Sequence, residues 1–317
     1  MLNPKTFPLK INISRVEYLI KRLDSSIEEL KYFCEHKREN ITAKKKKKRN
    51  STKIRDVFDT SPKYKKLLRK INSRLLRGHF PPGVLGGVAG KQINDLAKMH
   101  CGHEAVFSVD LKNFFPNIKS GQIFRLFQRA GCQSEVCGLL TDLVTVEGAL
   151  PQGFPTSTAI ANWIAYDLDI QQLNYCSCHN ISRTRWVDDI TFSGRYINIE
   201  EAIKPMIGSI TYNGFKVNHR KTDLSPRNKT STVVGLNVSG DKPRVTPSAI
   251  SMIKNIILEC KEEGIDYVKL AHDFENKNVL KSIDGTIKYI SKFNPKDGNE
   301  LRCLFDTIGC QANKLPA

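Results

Sequence analysis

Asp110 closes a short apolar run, AVFSVD, and Asp188 and Asp189 stand side by side within ISRTRWVDDITFSG. Carboxylates at the end of one strand and at the tip of a hairpin can hold divalent cations. Their oxygens are hard ligands of the kind magnesium takes, and magnesium also keeps waters and binds substrate phosphates. A pair of such ions clamps the attacking and leaving oxygens of a phosphoryl transfer. An Asp-Asp pair alone is weak evidence, because Asp favours turns for local reasons. Its weight comes from the segments around it.

Those segments must bring the acids together. Val106, Phe107 and Val109 predict a strand that Asp110 ends, and Thr184, Trp186, Val187, Ile190, Thr191 and Phe192 predict a hairpin around the acid pair. Side by side, the two would carry all three carboxylates to one sheet edge. Upstream, Val16, Leu19, Ile20, Leu23, Ile27 and Leu30 predict a helix over 13–33, with Ser14 as N-cap and Glu17 as its capping-box partner. Lys44 to Arg49 are six consecutive basic residues, read as a solvated loop that meets phosphates. Residues 62–76 predict a basic helix with Leu67, Leu68, Ile71, Leu75 and Leu76 inward and Lys63, Lys65, Lys66, Arg69 and Lys70 on a positive face. The glycine-rich stretch 78–90 runs into Lys91-Gln92 with no Gly-Lys-Ser/Thr, which excludes a P-loop.

Further on, Ser120 caps a helix, and Pro151, Gly153 and Pro155 make a rigid turn before a helix starting at Ser157 or Thr158. Beyond the acid pair come a helix over 199–210, a strand over 215–217, a basic turn over 219–222 and a strand over 231–238. Thr246 as N-cap, Pro247 at the first helical position and Gly264 past the end mark one late helix, and 279–293 marks another.

The chain has 317 residues, 40% hydrophobic, which suffices for a sizeable core in two or three subdomains. Its formal net charge of +18 favours a polyanion partner, nucleic acid first and anionic membrane second. No apolar run approaches the ~18–20 residues that span a bilayer, and the N-terminus lacks a signal-peptide core. The expectation is a soluble, cytoplasmic protein with no membrane partner. Nine cysteines, irregularly spaced, read as reduced thiols. Cys176, Cys178 and His179 lack the second half of a zinc-finger spacing.

In order, strand-Asp110, LPQG, a hairpin with Val-Asp-Asp, a basic turn and an apolar strand with Gly resemble the reverse transcriptases. The resemblance runs from about Arg55 to the C-terminus. Within the family, DLKNFFPNI, QGFPTS and GTIKYISKFN look most like the compact bacterial retron type. The chain departs from retron habit at Leu96, at Val233-Val234-Gly235 and at Trp186 in a usual tyrosine position. A reverse transcriptase of another bacterial defence branch, or a group II intron-like one, is therefore the alternative within the family.

The resemblance implies an α/β fold on the right-hand polymerase plan: fingers over 1–104 with a basic N-terminal helical region, a ferredoxin-like palm sheet over 105–241 and a helical thumb over 242–317. It implies RNA-directed DNA synthesis with two Mg2+ ions, or Mn2+, held by Asp110, Asp188, Asp189 and the Leu111 carbonyl. Phe115 corresponds to the gate under the sugar, Gln152 and Gly153 to residues lining the nascent base pair, and Arg55 to a clamp on the triphosphate. Lys221 corresponds to a proton donor for the leaving pyrophosphate. Lys63, Lys66, Arg69, His100 and Trp186 correspond to nucleic-acid contacts. The implied partners are deoxynucleotides, a cognate non-coding RNA with its branched RNA–DNA product, and a separately encoded effector in anti-phage defence. A reading of another class is a nucleic-acid-binding scaffold with little turnover. The acid triad, Gln152 and Phe115 weigh against it, and Phe115 also weighs against an RNA polymerase.

Overall fold

The computed structural model describes residues 7–47, 54–226, 230–272 and 278–312. The chain divides into two compact units, Met1–Pro226 and Arg227–Ala317.

The first unit opens with α1 (Val16–Leu23) and α2 (Ile27–Glu35). The apolar spacing predicts one helix here, and the structure breaks it. Asp24 takes the left-handed region at φ 49, which Asp tolerates better than most residues. Ser26, not Ser14, is the working cap, accepting the Glu29 N–H, whereas Arg15 stands at the N-cap of α1 with no side-chain bond to it.

A short turn, α3 (Lys37–Asn40), leads into β1 (Ile41–Lys47), which pairs antiparallel with β2 (Ile54–Thr60). The lysine run expected as a loop is therefore a strand as far as Lys47, while Lys48 and Arg49 lie outside the described residues. Lysine has little strand preference of its own, so the partner strand decides. Register sets Lys44 opposite Val57 and Lys45 opposite Asp56, and Asp59 draws in both Lys44 and Lys65. The basic helix α4 (Pro62–Arg74) follows, with Tyr64, Leu67, Leu68 and Ile71 buried as its spacing predicts. After α5 (Ile93–Lys98) the chain enters the sheet.

That sheet has the order β4-β5-β3-β6, all antiparallel, from β3 (Ala105–Asp110), β4 (Ser182–Trp186), β5 (Asp189–Gly194) and β6 (Asp223–Pro226). Between β3 and β4 run α6 (Phe114–Asn117), α7 (Ser120–Arg129), α8 (Ser134–Val144), α9 (Ser157–Ile164) and α10 (Tyr166–Cys178). Between β5 and β6 runs α11 (Tyr196–Tyr212), and α10 and α11 both pack on the sheet. This is the expected α/β arrangement, a four-stranded antiparallel sheet backed by helices. Phe107 and Phe192 stack at 5.9 Å across neighbouring strands, both buried. Each such ring contributes roughly 1.5–3 kcal/mol on leaving water.

The edge strand corrects the sequence reading. Residues 215–217 form only a single bridge, Val217 to Leu111, and the strand beside β3 is Asp223–Pro226. Phe215 is spent on packing instead, its ring 5.6 Å from that of Phe114.

The second unit begins with a small sheet of β7 (Thr232–Val233), β8 (Leu236–Asn237) and β9 (Arg244–Val245). Residues 231–238 predict one strand, yet Val234 (φ 45) and Gly235 (φ 84) fold it into a hairpin. Positive φ at both central residues is the requirement of a two-residue I′ turn. Then come α12 (Pro247–Glu262), α13 (Ile265–Ala271), α14 (Val279–Phe293) and α15 (Pro295–Ala312). Thr246 caps α12 through the Ala249 N–H, as predicted. Ile253, Ile257, Ile283, Ile287, Ile290 and Leu301 are buried as the core of this unit.

Candidate active site

Register alone brings the acids together. Asp110 is the cross-strand partner of Asp189, so the last residue of β3 meets the first of β5. The turn between β4 and β5 is Val187-Asp188, and the Asp188 carbonyl accepts the Leu111 N–H at 2.8 Å. Leu111 itself is buried. The three carboxylates thus share the end of two central strands, as the sequence predicts.

Each acid has a distinct environment. Asp110 is half-buried and ion-paired with Lys221, while Asn218 donates to its other oxygen at 2.9 Å. The 3-10 turn His219–Lys221 carries that lysine over the site. Burial, then the charge of Asp110, pushes the Asp188 carboxyl up, against the pull of Lys221 and Arg55. Burial, then Asp188 and Asp110, pushes Asp189 up to about 6. Carboxylates that resist ionisation in this way are what a bound cation relieves, so the donor set fits a hard divalent metal. As the side chains stand, with Lys221 on Asp110, no group of three His, Cys, Asp or Glu converges to ligate an ion among the described residues.

The other predicted residues fall into two groups. Arg55 lies on β2, exposed, and its positive charge pulls the Asp188 carboxyl down, against burial. The Gln152 carbonyl accepts the Phe58 N–H at 2.8 Å, tying the same strand to the LPQG turn. Gly153, at φ +117, has the Phe58 carbonyl 2.4 Å from where a Cβ would stand. The close approach that glycine permits there is to β2 of the same chain. Phe115 is half-buried beside the buried Phe114, both on the short helix α6. Trp186 pairs with Asp189 across β4 and β5 and is half-buried. Lys63, Lys66 and Arg69 stand exposed on the outer face of α4.

His100 does not fit its expected role. It is fully buried behind β4 and β5, with Nδ1 2.6 Å from Ser193 Oγ and Nε2 2.7 Å from Thr184 Oγ1. Burial, then the neighbouring His103, pushes it down to about 3, so it is neutral. No face of the ring is open to nucleic acid; both nitrogens serve the sheet. Cys176, Cys178 and His179 sit at the end of α10, where the His179 ring turns back to the Tyr175 carbonyl.

Sequence reading missed Asn218 and a buried cluster on the helical side of the sheet. Asp169 of α10 meets Arg183 and Arg185 of β4, all fully buried. A signal existed: arginines at i and i+2 put two charges on one face of a strand.

Comparison with known proteins agrees with this geometry. The family described as "Reverse transcriptase (RNA-dependent DNA polymerase)" matches residues 43–238. The retron Se72 reverse transcriptase of Salmonella heidelberg (strain 579083-10) is 25% identical over 311 residues, covering 95% of this chain and 77% of the relative. The retron Ec86 reverse transcriptase of Escherichia coli is 28% identical over 260 residues, 80% of each chain. The Escherichia coli retron Ec48 enzyme is 30% identical over 271 residues, 78% of this chain and 65% of that one. A solved foamy viral protease-reverse transcriptase aligns with a TM-score of 0.46 and 16% identity, over 96% of this chain and 46% of its own. The family implies dependence on a divalent metal and an RNA template. No helix among the described residues is long and apolar enough to cross a membrane. The chain belongs to the reverse transcriptase family, as an RNA-directed DNA polymerase whose matched relatives are retron reverse transcriptases.

Proposed function

We propose that this enzyme is a retron reverse transcriptase. It copies part of a cognate non-coding RNA from a primer on that RNA, leaving a branched RNA–DNA product. It acts in anti-phage defence with a separately encoded effector. The observation that carries this reading is the 25% identity to a retron reverse transcriptase across 95% of the chain. The acid cluster supports it, because a polymerase needs those acids and a binding scaffold does not.

In this reading residues 1–104 are fingers, 105–241 palm and 242–317 thumb. Asp110, Asp188, Asp189 and the Leu111 carbonyl hold two Mg2+ ions, which supply charge for the transferring phosphoryl group. Arg55 and Lys221 bring positive charge to the nucleotide, and Lys221 gives a proton to the departing diphosphate. Phe115 lies under the sugar and excludes a 2′-hydroxyl. Gln152 and Gly153 line the nascent pair, with Lys63, Lys66, Arg69 and Trp186 along the nucleic acid.

The test is primer extension with Mg2+ and deoxynucleotides, on a generic RNA template and on the non-coding RNA encoded beside the gene. Wild type is run beside Asp188→Asn. Extension by wild type alone supports the acid site. A debranching-sensitive product on the neighbouring RNA supports the retron assignment. A linear product only, on both RNAs, would place the enzyme in another branch of the family.

A further inference from the structure

The hairpin that carries the acids turns through a residue poorly suited to it. Val187 has φ 60, a left-handed conformation that a β-branched side chain adopts only where its surroundings hold it. Its carbonyl accepts a hydrogen bond at 2.9 Å from one amino group of the buried Arg185. That same group donates to Asn162 Oδ1 at 2.9 Å. The rest of the guanidinium is fixed side-on by Asp169, with Nε 2.8 Å from Oδ1 and the second amino group 2.5 Å from Oδ2.

The backbone of Arg185 is pinned as well. Its N–H donates to the Gly83 carbonyl at 2.8 Å, and its carbonyl accepts the Leu85 and Gly86 N–H groups at 3.1 and 3.3 Å. Asn162 closes the ring of contacts by donating to the Gly86 carbonyl at 2.9 Å. A planar fork held at every edge is a rigid arm, which a flexible lysine ammonium cannot reproduce. Asp169 is shared with Arg183, so one net positive charge remains in the cluster. Arg185 reaches the turn through its bond to the Val187 carbonyl and acts there through position.

We propose that Arg185, held by Asp169 and Asn162, is a positioning residue that clamps the Val187 carbonyl and so sets the turn on which Asp188 and Asp189 stand. The consequence for metal binding rests on the metal-site reading above; the clamp itself does not.

Hydrogen–deuterium exchange on the full chain reads the clamp directly, because the Leu111 N–H is donated to the Asp188 carbonyl. In Arg185→Lys we expect Leu111 to exchange at least about tenfold faster while the amides within β3 keep their protection, as loss of one held turn would do. Mn2+ affinity, read from the free-ion electron paramagnetic resonance signal, falls at least about fivefold. Adding Val187→Gly recovers part of it, because glycine holds φ 60 unaided. Unchanged Leu111 exchange in a folded Arg185→Lys protein overturns the proposal, as does affinity that Val187→Gly leaves equally low. If the lysine variant fails to fold, Asn162→Ala takes its place under the same criterion. Wild type that binds Mn2+ no better than Asp188→Asn would sink the metal-site reading alone and leave the exchange result standing.

Discussion

Replacing Gly153 with alanine tests how the paired strands β1 and β2 are held to the LPQG turn. A Cβ there would stand 2.4 Å from the Phe58 carbonyl and 3.0 Å from Val57 Cγ1, at a backbone φ of +117. Backbone strain at such a φ costs roughly 1–3 kcal/mol. Pushing β2 away also breaks the 2.8 Å bond from the Phe58 N–H to the Gln152 carbonyl, a further ~0.5–1.5 kcal/mol. The sum, about 2–4 kcal/mol, is relieved by moving the strand, and Arg55 lies on that strand. If half of it appears as lost nucleotide binding, the deoxynucleotide KM rises about tenfold, at 1.4 kcal/mol per decade. Steady-state primer extension on an RNA template measures that KM, with Arg55→Ala as the comparison. Thermal unfolding measures the remainder, roughly 2–4 °C per kcal/mol for a unit of this size. A Gly153→Ala enzyme with KM within twofold of wild type and an unchanged melting temperature would refute the coupling between the LPQG turn and the paired strands.

Asp189 is raised to about 6, so the folded state holds a proton that the unfolded chain releases near the ordinary carboxylate value. The metal-free protein therefore loses stability as pH rises through about 6, by an order of 1–3 kcal/mol. Asp189→Asn should melt higher than wild type at pH 8 without metal, a gain that fades near pH 4; equal melting at pH 8 would contradict the burial argument. His100 runs the other way. Its folded value of about 3 makes acid destabilising, because below the ordinary histidine range the unfolded chain takes a proton that the folded one refuses. His100→Leu should cost about 1–3 kcal/mol by orphaning the buried Thr184 hydroxyl, while Ser193 keeps its contact with His103, yet leave RNA affinity, measured by filter binding on folded protein, within twofold. Phe115→Ala should cut discrimination against ribonucleotides by at least about tenfold, and an unchanged ratio of deoxy- to ribonucleotide kcat/KM would remove Phe115 as the gate.

Local chemistry determined a good deal of this protein. The three acids, the strands that carry them, the inward face of α4 and the capped start of α12 follow from side-chain type and spacing alone. They are legible because each depends on near neighbours: an alternation of two, a spacing of three or four, or a cap within one turn. Tertiary structure decided the rest. The lysine run has no strand preference, and only its pairing with residues 54–60 makes it β1. Residues 215–217 look like a strand, yet β3 takes Asp223–Pro226 as its partner. His100 corresponds by resemblance to a nucleic-acid contact until the fold buries it between Ser193 and Thr184. Arg183 and Arg185 carry no assignment from the sequence until α10 brings Asp169 to them. In each case the deciding partner is distant in the chain or sits on another element, and no local window contains both halves of the interaction. The acids themselves could be named from the sequence; the clamp behind their turn became visible only when the sheet was folded.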